Sequence, residues 1–299
     1  MLHTYPSHVR IVEVAPRDGL QNIKTNVSTE VKTTLINKLC DAGIKDIEVT
    51  SFVSPKWVPQ MADAADILKQ LTPREDTAYI VLTPNLRGFD RAIESGAKEV
   101  AIFAAASETF SQKNTNCSIA ESLERFEPIM LKAAELGIRV RGYTSCVLGC
   151  PYEGDVAVSE VVRVTKALID MGCYEVSLGD TIGIGTPTKA REMIAAVIKE
   201  VPAEKLALHF HDTRGQALAN ILACLEYGVP NIDSSVAGLG GCPYAAGASG
   251  NVSTEDVIYM LHGMGIETGI NLEQLVAAGY YITDQIDCSN NSKVAAVYK

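Results

Sequence analysis

One local pattern governs what this chain can fold into: an amphipathic stretch, a glycine, then a short β-rich run. It occurs in "LCDAGIKDIEVTS", "AIESGAKEVAIFAA", "AAELGIRVRGYTS", "LIDMGCYEVSLGD" and "CLEYGVPNIDSSVAG". The glycines, at 43, 96, 137, 172 and 228, stand where a helix gives way to a strand, a position that calls for positive φ and penalises a side chain. Three further strand candidates complete the set: "RIVEVA" (10–15), "YIVLT" (79–83) and "LALHFH" (206–211). The segment after Ser28 shows the helical half of the unit. Ser28 is an N-cap, Glu30 lies in the first turn, and Val31, Leu35 and Leu39 recur at i, i+4 and i+8 as one buried stripe.

Eight alternating βα units with continuous apolar strands predict a closed parallel sheet, the α/β architecture of a (β/α)8 or TIM barrel, over roughly residues 8–265. An open doubly wound sheet is the competing architecture, but no Gly-x-Gly-x-x-Gly turn follows the first strand. No Pro/Ser-rich linker interrupts the series, so residues 1–299 are expected to form a single domain. The segment "GINLEQLVAAGYYITDQI", from about residue 268, reads as an appended C-terminal helical extension.

Charge narrows the partners. A net charge of −10 without Lys/Arg runs argues against nucleic acid, whose binding rests on phosphate neutralisation. No apolar run reaches the roughly 18 residues of a membrane span, and "MLHTYPSHVR" has neither a signal-peptide core nor Arg-rich amphipathicity. No membrane and a cytoplasmic location are therefore expected. Eight cysteines scattered through a long chain read as reduced thiols. Cys146 and Cys150 form a Cys-x3-Cys pair, but Glu153 stands where an iron–sulfur motif would place its third Cys.

In a barrel, function belongs at the C-terminal strand ends, and polar residues gather there. "APRDGLQN" follows the first strand with Arg17 and Asp18, the second carries Glu48, and the sixth ends in Asp180. The seventh ends in His209 and His211, two of only five histidines. Side chains at i and i+2 leave one face of a strand, so these two point together while Phe210 points away. The eighth leads into the glycine-rich "AGLGGCPYAAGASGN", with Cys242 and Asn251.

Asp18, His209 and His211 offer one oxygen and two nitrogens, and Asn251 a further oxygen. This set suits an octahedral divalent cation with two positions left for a chelating substrate, Mg2+ or Mn2+ foremost. The same donors suit ferrous iron, and zinc stays open.

Each residue also has a structural reading. Two core histidines satisfied by hydrogen bonds would explain His-x-His. Asp18 before glycine suits an Asx turn with Arg17 as its ion partner, Asp180 suits an N-cap, and Cys242 suits a small buried hydrophobe. The glycine-rich run is either a plain connector or a lid carrying one thiol over the barrel mouth.

Taken in order from about residue 10 to 265, "EVAPRDGLQN", "EVTSFVSPKWVPQMAD", "VLTPNLRGFD", "SCVLGCPYEG", "SLGDTIGIGTP", "HFHDTRGQALAN" and "GLGGCPYAAGASGNVSTEDVIYML" resemble the 3-hydroxy-3-methylglutaryl-CoA lyases. The Arg-Asp-Gly turn and His-x-His alone would indicate only a broader superfamily of metal-dependent barrel lyases. The resemblance implies Mg2+- or Mn2+-dependent cleavage of the CoA thioester to acetyl-CoA and acetoacetate, as in leucine breakdown or ketone-body formation. It implies Asp18, His209, His211 and Asn251 as metal ligands and Arg17 as catalytic cation. Glu48 and Asp180 follow as polar site residues, Cys242 as the catalytic thiol, and a homodimer as the assembly.

The chemistry requires a base for the tertiary hydroxyl, and Asp18 and His211 both stand open for that role. Two departures stand out: Arg214 occupies a position where animal members carry Tyr, and Asp287, Cys288 and Ser289 replace a basic stretch that contacts CoA. Lys24 and Lys56 are the local cations left for the CoA phosphates, with Lys56 reading as a solvated surface residue. A lyase acting on a longer 3-hydroxy-3-alkylglutaryl-CoA and a non-catalytic metal- and acyl-CoA-binding barrel are the competing readings.

Overall fold

The computed structural model describes residues 5–241 and 250–298. Eight parallel strands close on themselves in sequential order: β1 (Arg10–Glu13), β2 (Asp46–Ser51), β3 (Ala78–Leu82), β4 (Glu99–Ala105), β5 (Arg139–Ser145), β6 (Glu175–Asp180), β7 (Leu206–Phe210) and β8 (Asn231–Ser234). The ring is sealed by β1 on β8, with Arg10 beside Asn231 and Glu13 beside Ser234. The expected barrel is therefore the observed one.

The helices α1 (Thr29–Asp41), α2 (Ala64–Gln70) and α3 (Leu86–Glu94) follow the first three strands. After β4 come two helices, α4 (Glu108–Thr115) and α5 (Ile119–Leu136), separated by the left-handed Asn116 and by Ser118, which caps α5 in a reciprocal box with Glu121. The ring continues with α6 (Val158–Asp170), α7 (Pro187–Val197), α8 (Ala217–Leu225) and α9 (Thr254–Gly263). The C-terminal α10 (Leu272–Ile286) packs on α1, as its buried Leu275, Ala278 and Ile282 require.

Local chemistry explains the unit. Ser28 accepts the Val31 amide at 3.3 Å, Glu30 lies in the first turn, and Leu35 and Leu39 are fully buried. All five glycines of the repeat have positive φ, between +66° and +110°. At Gly43 a Cβ would also stand 2.5 Å from the Gly269 carbonyl oxygen, so the chain entering α10 packs where only glycine fits.

The strands are not uniformly apolar, as their sequences had suggested. Inside the barrel, Val12, Val14, Ile80, Ala101 and Tyr143 form one apolar cluster. The rest of the lumen carries ions: Arg141 of β5 reaches Asp233 of β8 at 2.6 Å, and Arg10 of β1 pairs with Glu175 of β6. These strands are not neighbours in the ring, so the contacts cross the lumen. A lumen packed with paired ions is a scaffold for a charged site rather than a simple oily core.

Outside the ring, the strand faces and helices share the main apolar core, in which Phe210 is almost wholly buried. Phe210→Ala is expected to destabilise the protein by about 3–5 kcal/mol, read from chemical denaturation, because it empties this outer face. An unchanged midpoint would mean that the alternation on β7 is not what packs the barrel.

Candidate active site

β1 ends in a tight five-residue turn, Ala15–Gly19, with Pro16 early in it and Arg17 and Asp18 at its centre. The turn is held by the Val14 carbonyl, which accepts from the amides of Asp18 and Gly19 at 2.8 and 3.1 Å. Gly19 is required here: a Cβ would lie 2.8 Å from Ser235 Oγ. The first turn therefore lies against the start of the loop after β8.

Arg17 is clamped between two carboxylates. Its Nε donates to Glu48 Oε2 at 2.6 Å, Nη2 forms an ion pair with the same oxygen at 2.6 Å, and Nη1 donates to Asp18 Oδ1 at 2.6 Å. Its guanidinium also lies over the Tyr143 ring at 5.9 Å. Burial alone would raise the Asp18 carboxyl, but Arg17, then His209 and His211, hold it well below the usual carboxylate range.

Burial pushes the Glu48 carboxyl upward against the pull of Arg17. Among the described residues, Glu48 Oε1 is buried without a hydrogen-bond partner, an acceptor open to a ligand.

Asp18, His209 and His211 form the cluster expected from the sequence, with one ligand atom from each lying within 4.8 Å of the others. The imidazoles share one face of the chain with ring centroids 5.4 Å apart, as the i, i+2 spacing predicted. Asn251 joins them through a bridge between its backbone and that of His211, and its Nδ2 donates to Asp18 Oδ2 at 2.8 Å.

Burial and the neighbouring His209 lower the His211 pKa to about 4, so its imidazole is neutral. Burial disfavours the His209 imidazolium, but its hydrogen bond to Asp233 and the charges of Asp233 and Asp18 together outweigh that and raise its pKa. Metal ligation requires both imidazoles neutral, and in that state the charges of Arg17, Asp18 and Glu48 sum to −1, which favours a cation. Two imidazoles, a carboxylate and an adjacent amide, beside an orphaned acceptor, fit a divalent metal ion.

Asp180 is placed differently. Its carboxylate accepts the amides of Ile184 and Gly185 at 3.2 and 2.9 Å, so it shapes the loop after β6. Arg214 ties the same loop by donating to the Ile182 and Gly183 carbonyls at 2.9 and 3.0 Å. Lys24 and Lys56 are exposed. Cys242 lies outside the described residues.

Sequence reasoning missed the residues behind the imidazoles: Asp233, Arg141, Ser177 and Tyr143. The signal lay in the strand sequences, where "RVRGY" and "NIDSS" place charge mid-strand. Nothing in one strand names its partner across the lumen.

Fold and site together define a parallel βα barrel with a candidate divalent-metal centre at the C-terminal end of its strands. The family model described as HMGL-like matches residues 8–282, and the chain belongs to that family. It is 60% identical over 292 residues to the mitochondrial hydroxymethylglutaryl-CoA lyase of Bos taurus, covering 98% of this chain and 90% of that protein. The crystal structure of hydroxymethylglutaryl-CoA lyase from Pseudomonas aeruginosa matches with a TM-score of 0.96 and 57% identity over 98% of each chain. An HMG-CoA lyase from Acinetobacter baumannii in complex with coenzyme A and 3-methylmalate matches with a TM-score of 0.92 and 36% identity, covering 97% of this chain and 95% of that one.

Proposed function

We propose that the protein is a divalent-metal-dependent carbon–carbon lyase that cleaves 3-hydroxy-3-methylglutaryl-CoA to acetyl-CoA and acetoacetate. The observation that carries this reading is the Arg17–Asp18 pair set against His209, His211 and Asn251 at one barrel mouth, in a chain so similar to lyases of that name. The compartment we propose is the cytoplasm, consistent with free thiols at all seven described cysteines. Leucine breakdown or ketone-body formation and a homodimeric assembly rest on the family resemblance.

The reaction is a retro-Claisen cleavage. A base takes the tertiary hydroxyl proton, the carbonyl of acetoacetate forms, and the carbon–carbon bonding pair becomes the enolate of the departing thioester. Protonation of the enolate carbon then gives acetyl-CoA. Asp18, His209, His211 and Asn251 would hold Mg2+ or Mn2+, which would supply Lewis acidity that makes the substrate hydroxyl easier to deprotonate.

Arg17 offers a fixed positive charge for the enolate oxygen, and its clamps on Glu48 and Asp18 remove the cost of orienting it during reaction. Asp18 and His211 are the two candidate bases for the hydroxyl proton. Asp180 positions the loop beside His211, since Gly183 of that loop abuts the His211 carbonyl. Cys242 would protonate the enolate carbon.

The test is acetoacetate release from 3-hydroxy-3-methylglutaryl-CoA by chelator-stripped, reduced protein, before and after Mg2+ or Mn2+. Turnover is expected only with metal. Folded protein that is inactive with both metals would redirect the reading to a longer 3-hydroxy-3-alkylglutaryl-CoA, and then to a barrel that binds without turnover.

A further inference from the structure

Among the described residues, the ions of the lumen form a continuous alternating chain from the barrel floor to its mouth. Asp46 pairs with Arg10, Arg10 with Glu175, Glu175 with Arg141, and Arg141 with Asp233. Asp233 meets His209, which faces Asp18, and Asp18 pairs with Arg17. Every second member is cationic or an imidazole, so carboxylates alternate with guanidinium or imidazole groups along the chain.

Asp233 is the link between the structural half and the site. It is fully buried, and it receives two hydrogen bonds from Arg141, at 2.6 and 3.0 Å, and one from Ser177 Oγ at 2.8 Å. Its Oδ2 lies 3.2 Å from His209 Nδ1, while His209 Nε2 is turned to Asp18 Oδ2 at 3.9 Å. The same imidazole and the Tyr143 ring lie at 89° to each other with centroids 6.0 Å apart, and the Tyr143 hydroxyl accepts from Arg141 at 2.8 Å.

We infer that Asp233 is a positioning residue of the site: it accepts the Nδ1 proton of His209, fixes that tautomer and ring angle, and leaves Nε2 as the metal-binding atom. The inference rests on reading His209 as a ligand. Arg141 has a defined part in it. Held by Arg141 and Ser177, the Asp233 carboxylate cannot swing toward the cation and must act through the imidazole. A carboxylate behind a ligating histidine fixes its orientation and raises its basicity, and losing one commonly costs about 10- to 100-fold in metal affinity.

The experiment is Mn2+ binding to metal-free protein, followed by electron paramagnetic resonance of the free ion, for wild type and Asp233→Asn. The substitution keeps the shape and removes the charge, and binding should weaken about 10- to 100-fold. A second variant, Arg141→Met with Asp233→Asn, guards against misfolding from an unpaired Arg141. It removes both charges at once and leaves Glu175 paired with Arg10. The same loss of Mn2+ affinity is expected there.

A spectroscopic arm separates positioning from mere support. In 15N-histidine spectra of the Mg2+-loaded wild type, the His209 proton should reside on Nδ1, and in Asp233→Asn its resonance should lose the downfield shift that a carboxylate acceptor confers. Mn2+ affinity within about twofold of wild type in either folded variant, or a proton on Nε2, would overturn the inference. Failure of wild type to bind Mn2+ at all would instead overturn the metal reading beneath it.

Discussion

Arg17→Met should lower kcat for 3-hydroxy-3-methylglutaryl-CoA by about 10³-fold or more while Mn2+ still binds, because the variant lacks the cation proposed to stabilise the enolate. One preorganised donor to a developing oxyanion is commonly worth about 10²–10³ in rate, and a full charge in a buried site belongs at or above the top of that range. Methionine preserves much of the side-chain length and none of the charge. Glu48, which burial already pushes toward the protonated form, can take a proton once its guanidinium partner is gone. The protein should therefore stay folded, as circular dichroism and a denaturation midpoint would check. If the variant binds Mn2+ and retains near-normal kcat, Arg17 is a structural ion partner and has no part in stabilising the enolate.

Arg17 and its neighbours were legible in the sequence, and the reasons for legibility are local. The Arg17–Asp18 turn is adjacent in sequence, and His209 and His211 share a face because strand geometry has a period of two. The helix-to-strand glycines follow from a φ requirement that one residue satisfies alone. The Ser28 cap and the α1 stripe are equally local. What one strand cannot show is its partner across a closed lumen.

Arg141 and Asp233 are 92 residues apart, and Arg10 and Glu175 are 165 apart. Each strand read as mainly apolar because its outward face is. The charges on the inward face become meaningful only when the ring closes and places them opposite one another. Asp180 shows the converse. A strand-end aspartate invites a catalytic reading, yet the two amides it receives come from its own following loop, four and five residues on. These contacts express the local hydrogen-bonding habit of Asp.

Asp18→Asn should cause the largest loss of all, because one carboxylate serves three functions at once. It pairs with Arg17, receives the Asn251 amide, and contributes the anionic oxygen of the candidate metal cluster. Asparagine keeps the shape but raises the summed charge of Arg17, Asp18 and Glu48 from −1 to zero. Mn2+ affinity is expected to fall by about 10²-fold, equivalent to about 2.7 kcal/mol of binding. Turnover should fall further, by about 10³-fold or more, and saturating Mn2+ should not restore it.

Persistence of the loss at saturating metal distinguishes the two candidate bases. An imidazole that ligates through one nitrogen carries its proton on the other and has no lone pair left to accept a second. A ligating carboxylate keeps lone pairs on both oxygens, and Asp18 is held ionised by its neighbours. Chemistry thus favours Asp18 over His211 for the hydroxyl proton. Recovery of kcat in Asp18→Asn at saturating Mn2+ would transfer the role to His211. A loss that persists with the metal site filled, in protein whose Arg17 still pairs with Glu48, leaves Asp18 as the group that accepts the proton.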